Sequence, residues 1–139
     1  MASAQELRQQ LLANRAAFRE ALAAVGGKWE QAAPDDEWTP RRIAEHAIGA
    51  DVLFATRTFE AMQSKPSEWE RQPLETVDAA LARLDAAAAI ADRAYRYVED
   101  HDLRKAGNPA GDYPKTVEGI MQNAVDHFAE HAATLKKRA

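Results

Sequence analysis

The chain has 139 residues, 46% of them hydrophobic, with a net charge of −4, which is enough for one modest core in a single domain spanning residues 1–139. There is no cysteine, so disulfides and thiolate metal sites are excluded and any metal must use His, Asp, Glu or water. Scattered basic residues in an acidic chain point away from nucleic acid. With no secretory leader and no apolar run near ~20 residues, the expectation is a cytoplasmic protein without a membrane partner.

Taken in order, Ser3-Ala-Gln-Glu6 reads as a capping box that opens a first helix. Leu7, Leu11, Phe18, Leu22 and Val25 follow at helical spacing, with Asn14 in the same stripe, and Gly26-Gly27 ends it. Pro34-Asp35-Asp36 signals a turn. Thr39-Pro40 starts the second helix, threonine as cap and proline at the first helical position. Its stripe is Ile43, Ala47, Ala50, Phe54 and Ala61. His46 borders that stripe and is expected to point inward, with Arg57 about three turns further on.

Ser64-Lys65-Pro66-Ser67 stops that helix, Trp69 falls in the loop, and Pro73 precedes a third helix. Val77, Leu81, Leu84, Ala88, Ala91, Tyr95 and Val98 alternate steps of four and three, the seam of a bundle helix. His101 lies at the polar end of this helix. Lys105 to Pro114 is rich in Gly and Pro and reads as a loop. Thr116 caps the fourth helix, whose inner face carries Val117, Ile120, Ala124, His127, His131 and Leu135, with Met121 and Phe128 flanking. Lys136-Lys137-Arg138 complement the negative end of this helix. Four helices and no strand pattern make an all-α four-helix bundle; the order of the helices stays open at this level.

His127 and His131 stand one turn apart on one helix face, and His46 can reach them from a second helix. Three imidazoles suit Zn, Ni, Fe or Cu. Three protein ligands leave a coordination position for water or substrate, as catalytic sites do. An inward histidine is also an ordinary hydrogen-bonded core residue, so the pattern alone leaves both readings standing. Glu130 is a candidate acceptor for an imidazole N–H or a solvated carboxylate. Asn123 and Asn14 are candidates to line a pocket, Asn14 also to fix helix register. Arg57 could hold an anion or lie along the surface. Tyr95 and Trp38 read as packing residues.

Trp38-Thr39-Pro40 followed by His46, together with a last helix reading Thr116-Val117-Glu118-Gly119-Ile120 through His127-x3-His131, resembles the DinB/YfiT-like proteins over nearly the whole chain. The resemblance implies a bundle in up-down-down-up order. It also implies a divalent metal, zinc or nickel, held by His46, His127 and His131. It further implies homodimers in some relatives and, in others, thiol-dependent transferases or isomerases that use low-molecular-weight thiols such as mycothiol or bacillithiol. Two functions follow as expectations. One is a metal-dependent enzyme that presents a thiol or water to an electrophilic small molecule. The other is a non-catalytic metal- or small-ligand-binding protein of the stress response.

Overall fold

In a computed structural model, residues 2–34, 38–106 and 116–139 are described. Four long helices run through them: α1 (Ala4–Ala23), α2 (Pro40–Ala61), α3 (Val77–Tyr95) and α4 (Val117–Lys136). Short 3-10 turns lie at Gly26–Lys28 and Asp100–Arg104. Each helix starts where a side-chain oxygen can take an orphan amide. Ser3 accepts from the Glu6 amide at 3.1 Å, Thr39 from Arg42 at 3.1 Å, Thr76 from Ala79 at 3.0 Å and Thr116 from Gly119 at 3.1 Å. α1 ends at Ala23, and Gly26 then turns the chain at φ +58°, a conformation glycine adopts without strain. The Asp35-Asp36 half of the expected first turn, and most of the expected loop before Pro114, lie outside the described residues.

The order of the helices follows from their contacts. α1 packs on α4 and α3, α2 packs on α3 and α4, and α1 and α2 face each other across the diagonal. Asn14 donates to the Val125 carbonyl at 2.9 Å and Phe18 packs edge-on to Phe128, so α1 and α4 run parallel. Arg8 reaches the carbonyls of Tyr95 and Val98 while Arg19 reaches Asp85, so α1 and α3 run antiparallel. His46 meets His131 and Phe54 meets His127, so α2 and α4 are antiparallel too. The bundle is therefore up-down-down-up. Parallel α2 and α3 need a crossover back along the bundle. α2 is 22 residues, about 33 Å, and the chain from Met62 to Thr76 covers that length, since 15 extended residues reach about 50 Å. Trp29 pins the crossover by donating to the Leu74 carbonyl at 3.0 Å.

Two expected helix faces are buried in most positions but extend further around the helix than the stripes alone indicate. On α2 the buried positions are Ile43, Ala44, Ala47, Ile48, Asp51, Val52, Ala55, Thr58 and Phe59 as well as Phe54. Ala50 and Ala61 are only partly buried. On α4, Val117, Ile120, Ala124 and Leu135 are buried as expected, and Met121, Val125, Phe128 and Ala132 join them in the core. Met121 and Phe128 are among the largest fully buried side chains, and it is the histidines that flank. Alanine-rich stripes weigh adjacent faces almost equally, so large residues decide, and Phe128 outweighs an imidazole. In α3, Leu84, Ala91, Tyr95 and Val98 are buried as expected, while Val77 and Leu81 are partly covered and Ala80, Ala87, Ile90 and Ala94 join the core.

At the centre of the bundle, Arg15 of α1 holds Asp51 of α2 at 2.7 and 3.3 Å. The Asp51 side chain is 0% exposed. Burial pushes its carboxyl up and the Arg15 guanidinium offsets part of that rise. Tyr95 lies beside this pair, and burial raises its hydroxyl above the ordinary phenol value. Among the described residues no helix is long and apolar enough to cross a membrane.

Candidate metal centre

The first half of α2 and the last half of α4 lie antiparallel, which brings His46 opposite His127 and His131. The two α4 imidazoles are fixed from behind, because their sequence neighbours Phe128 and Ala132 are core residues. The His46 Nε2 lies 3.0 Å from the His127 Nε2, and the His131 Nε2 lies 3.1 Å from that same atom. All three donor atoms fall within 4.8 Å of one another. His46 is exposed and the other two half-buried. The expectation of an inward His46 is thus corrected. The core face of α2 centres on Ala47 and Asp51, and His46, about 100° away from Ala47, stands at the rim where the bundle opens.

The donor set fits a divalent cation. A neutral imidazole carries one N–H, and the His127 Nε2 can donate to only one of its two neighbours. Three converging lone pairs repel unless a cation sits among them. A tetrahedral zinc site with bonds of about 2.05 Å separates its nitrogens by about 3.3 Å, and adjacent positions of an octahedron by about 3.0 Å. The observed 3.0 and 3.1 Å suit either, while two donors of one ion stand at most about 4.1 Å apart, so a pair at the cluster's 4.8 Å limit must close on binding. All three imidazoles have their pKa lowered, His127 to about 4, first by burial and then by the neighbouring rings for His127 and His131. They are therefore neutral at pH 7, which is the form that binds metal.

Aromatic rings frame the cluster. Trp38 stands edge-on to His46 at 5.2 Å and Phe54 edge-on to His127 at 5.7 Å. Arg138 donates to the Trp38 carbonyl at 2.8 Å, so the tail of α4 fastens the loop that carries this tryptophan. Trp38 is thus a wall of the site as well as a packing residue. Glu130 is exposed and raises the pKa of His46 and His131 through its charge, against the larger effect of burial; among the described residues no hydrogen bond joins it to an imidazole. His101 is far from the cluster, at the opposite end of the bundle, against Glu99 and Asp102 at 3.3 and 3.4 Å.

From the histidines an open groove of about 1130 Å³ runs along α2, walled by α4 and by the crossover. Arg42, His46, Gly49, Leu53 and Thr56 line it at steps of four, three, four and three, one face of α2. Asn123 and His127 come from α4, and Trp69, Arg71 and Leu74 from the crossover. Asn123 is where the sequence placed it. Asn14 takes its register role, bonded to Val125. Arg57 pairs with Glu60 at 3.1 Å and does not line the groove. The crossover residues and Gly49 escaped the sequence reading. The four-three spacing from Arg42 to Thr56 was a usable signal; nothing local announces that a loop folds back over α2.

The family profile of the DinB superfamily matches residues 10–135. Neither the curated proteins nor the solved structures gave a match.

Proposed function

The chain belongs to the DinB superfamily, and on that premise we propose that it is a metal-dependent enzyme in which His46, His127 and His131 hold zinc or nickel. The reading adds a small electrophilic substrate and a low-molecular-weight thiol as the second reactant, making the protein an S-transferase or isomerase. The observation that carries it is the convergence of three imidazole Nε2 atoms at 3.0 and 3.1 Å on the mouth of a groove. A divalent ion bound there supplies a lowered pKa for a thiol or water and a positive field for an electron-rich substrate atom.

The protein's own residues do the rest. The lowered imidazole pKa values leave the rings neutral at pH 7, and a ring with its proton on Nδ1 presents a free Nε2 lone pair to the cluster. Trp38 and Phe54 stand edge-on to two of the rings and limit how they can turn. Three neutral ligands cancel none of the ion's charge, so the remaining positions favour an anionic ligand such as a thiolate. Among the described residues the groove wall carries one carboxylate, Glu45, and Arg41 engages it at 3.6 Å. The walls therefore bind and orient rather than act as general base.

The test is turnover. Zinc- or nickel-loaded protein is given mycothiol or bacillithiol with epoxides, maleyl-type acids or halogenated acceptors. The reading expects at least one rate above background that requires the metal and disappears in His127→Ala. Background rates with every pair at full metal occupancy would leave a binding protein instead.

A further inference from the structure

The groove has a charge and a shape that the histidines alone do not explain. Three arginines line it, Arg42, Arg71 and Arg83, against the single carboxylate of Glu45, in a chain whose net charge is −4. Five arginines outside the groove, Arg15, Arg19, Arg41, Arg57 and Arg96, each hold a carboxylate, and Arg8 and Arg93 hold carbonyl or hydroxyl oxygens. Arg83 stacks on the Trp69 ring at 3.7 Å and donates to the Glu70 carbonyl. Among the described residues, Arg42 and Arg71 hold no carboxylate. Arg42 lies over the Trp38 ring, 4.6 Å from its centroid, and that ring is the one edge-on to His46. A guanidinium therefore stands one helical turn before the metal-binding imidazole, on the same face of α2.

Gly49 is the second observation. It sits in the interior of α2, one turn beyond His46, where glycine is the poorest ordinary helix former. Packing does not require it, because a Cβ built there meets nothing within 4 Å. Its φ is ordinary for a helix, so the backbone does not require it either. What the missing side chain does is leave the groove floor bare beside the cluster.

We propose that the groove selects a small organic anion, a carboxylate on an apolar body. Arg42 and Arg71 read the charge, and Gly49 leaves room for the body between Trp38 and Trp69. A planar guanidinium pairs with a carboxylate through two parallel hydrogen bonds. Tryptophan walls suit an apolar or aromatic body. This names the ligand class of the site just described and rests on the metal reading only in placing the ligand's reacting end at the histidines.

The test compares phenylacetate with its uncharged isostere phenylacetamide, titrated into metal-loaded and metal-stripped protein and followed by calorimetry. Metal content and circular dichroism are checked for every variant. Phenylacetate should bind the loaded protein about tenfold tighter than the amide. Arg42→Gln and Arg71→Gln should each cost phenylacetate about fivefold, leave the amide unchanged and leave the metal in place. Gly49→Leu should weaken both probes about tenfold or more by filling the floor. Arg96→Gln, distant on α3, should change nothing. Equal binding of the two probes, binding of neither, or arginine variants that bind phenylacetate as wild type does would overturn the proposal. An arginine effect that survives in protein unable to hold metal would sustain it while removing the metal centre.

Discussion

Truncating Arg15 strands the Asp51 carboxylate in the core. That carboxylate is 0% exposed and takes hydrogen bonds of 2.7 and 3.3 Å from the guanidinium. Breaking one side of such a pair costs about 3–5 kcal/mol. The guanidinium also lies over the Phe128 ring at 5.1 Å, and that contact goes with it. Against a total stability of about 5–15 kcal/mol, Arg15→Ala should lower the melting temperature by roughly 10–15 °C. Arg15→Met with Asp51→Leu should recover most of the loss, since no charge then needs desolvating. The pH dependence has a definite sign. Burial raises the folded-state pKa of Asp51 above the ordinary aspartate value, and loss of Arg15 raises it further. The folded variant then holds a proton that the unfolded chain releases, so its stability is greatest below the unfolded pKa and falls as pH rises through the folded one. Urea denaturation of metal-free wild type and variants at pH 5 and pH 7 measures this directly. A loss below about 1 kcal/mol at pH 7, or a penalty that grows on acidification, would refute the reasoning.

Gly49→Ala should raise the melting temperature by about 2–4 °C, because the helix gains roughly 0.5–1 kcal/mol and the added methyl meets nothing within 4 Å; a lower melting temperature would mean the site is packed. The metal-free protein should lose stability as pH falls from about 7 towards 4. The depressed pKa of His127, about 4, lets the unfolded chain bind a proton that the folded one refuses. The stability contribution is present above the ordinary imidazole value and lost as pH falls through the folded one, and His127→Gln should flatten that slope in a urea series. Chelation should lower the melting temperature of protein prepared with metal, and added zinc or nickel should restore it in proportion to the logarithm of its free concentration. Unchanged melting in chelator would count against a metal bound to the native state.

Local signals survived best between sequence and structure. Thr39-Pro40, Ser3 and Thr116 cap their helices because a cap is a contact within three residues. Thr76 caps α3 in the same way, three residues beyond Pro73, where no local pattern marks it. The cluster of His46, His127 and His131 was legible because two of its members share one helix turn. Its burial was not, since the facing of an alanine-rich helix depends on which large neighbours, here Phe128 and Met121, win the core. The Arg15–Asp51 pair was missed although Asp51 follows Ala47 by one turn on the buried face; only its partner, 36 residues away, makes sense of a carboxylate there. The groove was least legible. Its crossover wall, with Trp69 and Arg71, is placed by Trp29 reaching Leu74 across 45 positions, a tertiary contact with no local pattern.

The central claim is that three imidazoles hold one divalent ion. Elemental analysis of protein purified without added metal, then re-loaded with zinc or nickel and dialysed, tests it with His46→Ala, His127→Ala and His131→Ala alongside. The expected result is one ion per chain in wild type and a large loss in each variant. His127→Ala should be the most severe, because the other two donors sit at 3.0 and 3.1 Å from that nitrogen. A wild-type content no higher than that of the three folded variants would contradict the account.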